Sequence, residues 1–183
     1  MKMLVHREAV SEAPPYSLSD IKLYLRVEHF DEDMAIQSMA RTAALDLEDF
    51  AQIALLTQTI RVVIFDPVSQ EYGFRLPIGP VAMNPTVTVT IDGEPFTAFQ
   101  VEGGKHPYLR WRAAYYDLQP CRIVIEYQAG FGASAANIPA DLSQALRDQV
   151  ALLYDMRSPV SGKTMTASPH MARIGARYRG VSM

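Results

Sequence analysis

Apolar residues recur every three or four positions in the first third of the chain, which is the spacing of amphipathic helices. Ser17 is followed three residues later by Asp20, a capping-box pattern that predicts a short helix ending near Val27. A second, longer helix is predicted from the acidic run at residues 31–33, because carboxylates are stabilised at the positive end of a helix dipole. Its apolar stripe consists of Ile36, Met39, Ala43, Leu47, Phe50 and Ala54.

From residue 57 to residue 127 the period shortens to two and β-branched residues become frequent, so this region predicts strands. Val87, Val89 and Ile91 alternate with three threonines. Asp92-Gly93 then predicts a tight hairpin turn, because both residues tolerate a positive φ. The predicted strands are 57–65, 74–76, 86–91, 96–101, 108–112 and 122–127.

A last helix is predicted to begin at Pro139, with a buried stripe at Leu142, Leu146, Val150 and Leu153. This order predicts an α+β fold with two N-terminal helices, a small antiparallel β-sheet, a C-terminal helix and an extended C-terminal arm. The predicted division of the chain is an extended lead-in at 1–16, a body at 17–157 and a basic arm at 158–183.

Charge separates the body from the arm. The chain has 183 residues, is 49% hydrophobic and carries a formal charge of −3. All 20 acidic residues lie at or before Asp155, where only 12 of the 17 Lys and Arg residues lie, so the first 155 residues carry −8. The last 28 residues carry +5, from Arg157, Lys163, Arg173, Arg177 and Arg179.

Residues that could support catalysis or metal binding do not form a recognisable site. Cys121 is the single cysteine, which excludes an internal disulfide, and it is predicted to be a small buried strand residue. The acidic run at 31–33 could bind a cation, but a helix N-terminus accounts for it. The four histidines (His6, His29, His106 and His170) fit no metal-ligand spacing.

The segment Ser161-Gly162-Lys163-Thr164 resembles a phosphate-binding loop. Arg157 stands where that motif needs a glycine, however, and a helix precedes the segment instead of a strand. The sequence therefore predicts a protein that is not an enzyme and that uses no cofactor and no metal. It also contains no apolar run long enough to span a bilayer and no signal peptide, so we expect no membrane partner.

The arm is the strongest candidate for a binding site. The simplest interpretation of the arm is a solvated chain end. Met and Tyr residues interleave with its arginines, however, and this composition is typical of interface cores. Five positive charges beside an acidic body make a weak DNA-binding surface, so a protein groove with acidic edges is the favoured partner. The candidate binding residues are Met165, His170, Met171, Arg173, Ile174, Arg177, Tyr178 and Arg179.

Several motifs in order resemble one family. Residues 17–29 followed by the acidic run and a long helix, the turn at 74–80, and the stretch at 125–142 resemble the head–tail connector (adaptor) family of HK97-type tailed phages. That family includes the adaptor of gene transfer agents. Two departures stand out: residues 51–59 lack the glycine turn that the family often has, and the arm after Arg157 matches no family pattern.

The resemblance implies a ring of twelve copies below the capsid portal, in the neck of a virion or virus-like particle assembled in the bacterial cytoplasm. The implied partners are the portal protein, a downstream neck (stopper) or tail protein, and DNA that passes through the channel without sequence specificity. An acidic wall would repel phosphate and let DNA slide, and the arm would bind the portal. An infectious phage and a gene transfer agent both remain open. The alternative function is a small cytoplasmic nucleic-acid-binding regulator with a basic tail.

Overall fold

The computed structural model describes residues 2–9, 12–67, 72–157 and 167–180. The chain forms two compact units, and each is built from two separate segments. The first, called here the sheet unit, comprises Met1–Ser11 and Thr57–Gly130. The second, the helical unit, comprises Glu12–Leu56 and Phe131–Met183. These boundaries differ from the predicted division at residues 16 and 157.

The described residues of the helical unit form four α-helices, which are α1 (Leu18–Leu25), α2 (Asp33–Ala51), α3 (Ala140–Met156) and α4 (Pro169–Tyr178). The predicted cap of α1 is confirmed, because Ser17 Oγ accepts the N–H of Asp20 at 3.3 Å. The core of the unit includes Ile36 and Leu47 from α2 and Leu142, Leu146 and Val150 from α3. Two residues of the predicted α2 stripe, Met39 and Phe50, are only half-buried and pack at the edge of this core.

In the ranges that the structure describes, the sheet unit has eight strands, which are β1 (Lys2–Ala9), β2 (Gln58–Phe65), β3 (Gly73–Arg75), β4 (Val87–Ile91), β5 (Glu94–Pro95), β6 (Phe99–Glu102), β7 (Tyr108–Trp111) and β8 (Arg122–Ala129). Five of them form an antiparallel sheet in the order β1-β2-β8-β4-β5, and three form a second sheet in the order β3-β7-β6. In the larger sheet Val62 lies opposite Ile125 and Ile91 lies opposite Ile123, so the apolar positions of neighbouring strands share one face. The predicted α+β plan is confirmed.

Tyr127 ties the larger sheet to the turn at residues 77–80. Its hydroxyl donates to the carbonyl oxygen of Ile78 at 3.1 Å and accepts the N–H of the same residue at 3.2 Å. Burial raises the pKa of Tyr127 well above its ordinary value, so the phenol stays protonated and keeps both hydrogen bonds.

The predicted turn at Asp92-Gly93 is confirmed, with φ of 52° and 97°. The returning strand is the two-residue β5, however, and residues 99–102 pair with β7 in the smaller sheet. Cys121 is exposed, so its predicted burial is wrong. It precedes β8 in a bend, outside the alternation that buries every second residue of that strand.

Both predicted extended ends differ in the structure. Residues 2–9 form the edge strand β1, which pairs with β2 along its whole length, so the predicted lead-in belongs to the sheet. Residues 169–178 form α4 instead of an extended arm. The cause lies in Met171, Ile174 and Tyr178, whose helical spacing gives the segment an apolar face that the helical unit buries.

Candidate functional site: the C-terminal helix

The start of α4 is fixed by hydrogen bonds from its cap residue. Ser168 Oγ accepts the N–H of Met171 at 2.9 Å, and Pro169 occupies the first turn, where its missing N–H costs nothing. The Ser168 N–H donates to Oε1 of Gln149 at 2.8 Å. Gln149 is fully buried on α3, and its Nε2 donates to Asp46 on α2 at 3.2 Å. One buried amide thus joins three helices.

One face of α4 completes the core of the helical unit. Met171, Ile174 and Tyr178 are 2%, 3% and 6% exposed. Gly175 lies directly on Phe50 of α2, and a Cβ atom built at Gly175 would come within 2.5 Å of the Phe50 ring. The glycine therefore lets the two helices approach closely.

Asp141, in the first turn of α3, holds the far end of α4. The Tyr178 hydroxyl donates to Asp141 Oδ1 at 2.9 Å, and Arg177 forms an ion pair with Oδ2 of the same carboxylate at 3.3 Å. Burial, with a further contribution from the hydrogen bond to Asp141, raises the pKa of Tyr178 to about 12. The phenol consequently remains a donor throughout the physiological pH range.

A second carboxylate, Asp148 on α3, binds the beginning of α4. It contacts Nδ1 of His170 and also accepts the hydroxyl of Tyr24 from α1. The hydrogen bond to Asp148, followed by burial, raises the pKa of Tyr24. Asp148 therefore links α1, α3 and α4 through side chains.

The end of α3 is held to the start of α2. Arg157 Nη1 lies 2.7 Å from Glu32 Oε1, and the Tyr154 hydroxyl donates to Oε2 of the same carboxylate at 2.6 Å. Arg157 also lies over the Tyr154 ring, 3.8 Å from its centroid. These hydrogen bonds, from Tyr154 first and Arg157 second, lower the pKa of Glu32. Arg157, one of the five basic residues counted in the last 28 residues, is thus paired within the helical unit.

The structure divides the predicted binding residues into two groups. The apolar group, with Met171, Ile174 and Tyr178, faces the core and is not available to a partner, while His170 is half-buried against Asp148. The arginines Arg173, Arg177 and Arg179 are exposed and are called here the arginine edge of α4. The predicted Met165 and the segment 161–164 lie outside the described residues.

An exposed apolar surface, which the sequence interpretation missed, lies at the corner between α1 and α2. Leu23, Phe30 and Met34 are 80%, 79% and 79% exposed. The first two help line a groove of about 640 Å³. Lys22 bridges the corner, with its ammonium 2.6 Å from Asp33 and 4.4 Å from the centre of the Phe30 ring. Contiguous exposed apolar side chains are typical of protein interfaces. We call this surface the apolar corner.

Neither unit presents a metal-binding cluster in the part of the chain that the structure describes. Within the same ranges, no helix is both long enough and apolar enough to cross a membrane.

No sequence-family model matches the chain, and no curated protein sequence matches it. Solved structures do. A chain in a structure described as the neck of an empty GTA particle computed with C6 symmetry matches with a TM-score of 0.77 and 23% identity, covering 98% of this chain and 97% of that chain. A chain from the neck of a native GTA particle computed with C12 symmetry has a TM-score of 0.75 and 23% identity, with the same coverage.

The chain shares its fold with chains of these particle necks. A chain from the virion of a native gene transfer agent (GTA) particle also matches, with a TM-score of 0.74, 24% identity and coverage of 97% and 96%. The resemblance inferred from ordered motifs is therefore confirmed for the fold, and it extends beyond those motifs to β1 and α4.

Proposed function

We propose that the protein is a structural head–tail adaptor. It forms a ring below the capsid portal, links the head to the neck and tail, and surrounds part of the DNA channel. The observation that supports this proposal is the similarity of fold, over nearly the whole chain, to chains in neck structures that were computed with C6 and C12 symmetry. In this proposal the protein occupies a particle neck, as a ring of twelve copies, and has no catalytic activity.

One surface of the helical unit supports a ring role. A closed ring needs two different patches on each copy that fit each other head to tail. The apolar corner at Leu23, Phe30 and Met34 has the exposure expected of a patch that another subunit covers. The helices behind it are joined by buried contacts such as that of Gln149, so the corner is presented on a rigid support.

The arginine edge of α4 is the proposed contact with the portal. Met171, Ile174 and Tyr178 are buried in the chain itself and His170 is half-buried against Asp148, so the fully exposed members of the described candidate residues are Arg173, Arg177 and Arg179. Exposed ion pairs are individually weak, but twelve such edges on one ring would act together through their high effective concentration.

Electron microscopy of the purified protein mixed with its portal tests this function. We expect rings stacked below the portal. The triple variant Arg173→Gln, Arg177→Gln and Arg179→Gln is expected to form rings that no longer attach. Arg41→Gln, at an exposed arginine on α2, is the control and should attach normally. Deleting residues 158–183 is a poorer test, because it would uncover the core surface that α4 buries.

The alternative function is a small cytoplasmic nucleic-acid-binding regulator. The observation in its favour is the same cluster of three exposed arginines on one short helix. It predicts submicromolar DNA affinity with a steep salt dependence that the triple substitution on α4 abolishes. An adaptor instead predicts rings, and DNA binding that does not depend on the arginine edge.

A further inference from the structure

The smaller sheet of the sheet unit carries basic residues on one face. Arg75 on β3 lies opposite Tyr108 on β7, and Arg110 on β7 lies opposite Gln100 on β6. Directly opposite residues project to the same side of a sheet. Arg112 follows Arg110 by two residues in extended backbone, and its N–H donates to the carbonyl of Ala98 at 2.9 Å, so it continues the row. Arg75, Arg110, Arg112 and Tyr108 define what we call the basic sheet face.

The opposite side of this sheet is an apolar platform. Leu109 and Trp111 are 0% and 4% exposed. The Trp111 ring stacks on Tyr115 with centroids 4.4 Å apart, and Phe96 packs edge-on against both rings. Because these large side chains fix β7 from behind, the arginines in front stand on a rigid support.

The basic sheet face has a surplus of positive charge. Glu102, an acidic residue on the same side of the sheet, lies opposite Tyr108 and accepts a hydrogen bond from Gln100 Nε2 at 2.7 Å. Among the described residues, no ion pair involves Arg110 or Arg112. These two guanidinium groups are exposed, so their five donors each are available to a ligand.

A histidine at the margin of the face holds Arg75 in position. Arg75 Nη2 contacts Nδ1 of His106, the residue that follows Lys105. Burial first, and then the charges of Arg75 and Lys105, lower the pKa of His106. A neutral imidazole can accept a hydrogen bond from the guanidinium, which orients Arg75 across the face.

The chemistry of this face matches a phosphate backbone. Interfaces between proteins usually centre on a buried apolar core, whereas the most apolar group on this face is Tyr108, at 41% exposure. Guanidinium groups bind phosphate oxygens in a bidentate manner, and tyrosine hydroxyls also contact phosphates. A flat row of such groups does not contact base edges, so it does not distinguish one DNA sequence from another.

We infer that the basic sheet face binds the sugar–phosphate backbone of DNA without sequence preference. The inference rests on the proposed function, in which DNA passes through the ring, and it specifies which surface touches the DNA. Three arginine contacts per copy surrounded by an acidic chain would give weak contacts, so DNA would be guided and still slide.

The test is DNA binding by the full-length protein, measured by fluorescence anisotropy of a labelled duplex across a salt series. Each phosphate contact contributes about 0.9 to the slope of log K against log salt concentration. The variant Arg75→Gln, Arg110→Gln and Arg112→Gln is therefore expected to reduce that slope by about 2.7. The matched control removes the same charge from α4, as Arg173→Gln, Arg177→Gln and Arg179→Gln, and should leave the slope unchanged.

Two further variants show whether a lower slope comes from lost DNA contacts or from a protein that does not fold. Arg110→Gln with Arg112→Gln spares the contact between Arg75 and His106 and is expected to lower the slope by about 1.8. Arg110→Lys with Arg112→Lys keeps the charge and should retain the slope of the unaltered protein.

Three results would overturn the inference: no DNA binding by the unaltered protein at low salt, no change of slope in the sheet variants, or loss of the slope in the lysine variant. The last would show that the slope does not come from the positive charge of this face. Ring formation is scored separately by electron microscopy, so rings without DNA binding would refute this inference and leave the adaptor function standing.

Discussion

The molecule carries two groups of three arginines, and they are built differently. The arginine edge of α4 is the solvent side of a helix whose other side completes a core, and one member, Arg177, is paired with Asp141. The basic sheet face stands on an aromatic platform, and two of its members have no ion pair among the described residues.

The difference shows why charge along the sequence is a poor guide to charge on the surface. The C-terminal region attracts attention because it contains no acid. The basic sheet face lies within the first 155 residues, whose total charge is −8, but the alternation of side chains along β7 brings Tyr108, Arg110 and the following Arg112 together on one side. The electrostatic potential of a surface therefore depends on which residues lie side by side in the sheet, and not on which residues are neighbours along the chain.

The largest predicted effect tests whether α4 is part of the core. Ile174→Ala is expected to lower the free energy of unfolding by about 2–5 kcal/mol, because it opens a cavity at a position that is 3% exposed. Urea denaturation followed by circular dichroism measures this. Arg173→Ala, on the exposed side of the same helix, is the control and should change stability by less than about 0.5 kcal/mol. Equal small effects at both positions would contradict the docking of α4.

The next effect concerns the buried amide that joins three helices. Gln149→Leu keeps a side chain of similar size but removes the amide that bonds the Ser168 N–H and Asp46. We therefore expect a loss of about 1–3 kcal/mol in the free energy of unfolding. Hydrogen exchange at the Ser168 amide should accelerate strongly. The neighbouring Asp148→Asn retains a hydrogen-bonding side chain and serves as the milder comparison. Unchanged exchange at Ser168 would show that the amide does not hold α4.

The third effect is the pH dependence of stability that Tyr178 gives to the docking of α4. The fold raises the pKa of Tyr178 from 10.0 to about 12, so its contribution to stability is complete below pH 10 and is lost as the pH rises through about 12. Tyr178→Phe is expected to be less stable than the unaltered protein by about 1 kcal/mol at neutral pH. The difference should vanish at strongly alkaline pH. A constant difference would show that the phenol is not the titrating group.

The smallest effect compares single arginines from the two groups. Arg177 is paired at 3.3 Å but is 58% exposed, so Arg177→Gln is expected to cost at most about 0.5 kcal/mol, and less at high salt. Arg110→Gln is expected to leave the free energy of unfolding unchanged while lowering the salt slope of DNA binding by about 0.9. Thermal denaturation at two salt concentrations measures the first quantity. A larger loss of stability at Arg110 would place that side chain in a structural role.

Much of the fold follows from local rules, and the misses have identifiable causes. The cap at Ser17, the turn at Asp92-Gly93 and the alternation in β4 depend on neighbouring residues, and all three are present. β1 was missed because its partner β2 begins at residue 58 and pairs with it across the whole intervening segment. No rule based on local periodicity detects such a pairing.

The candidate site was half visible in the sequence. Met171, Ile174 and Tyr178 have the i, i+3, i+7 spacing of an apolar helix face, and this spacing contained the signal for α4. Because these residues interleave with arginines, the sequence was interpreted instead as an extended arm that binds a partner. The basic sheet face was missed because it requires the register between β3, β7 and β6, which the sequence does not reveal.

The interleaved segments of the two units have a consequence for synthesis on the ribosome. β1 leaves the ribosome before its partner β2, and the sheet unit is complete only once residue 130 has emerged. The helical unit waits longer, because the apolar face of α4, which follows α3 in the chain, fills its core. Neither unit is a continuous stretch of chain, so the nascent chain carries unfinished surfaces of both units until residue 130 has emerged, and of the helical unit until α4 has emerged. Stalling before α4 would leave the helical core open to chaperones and proteases.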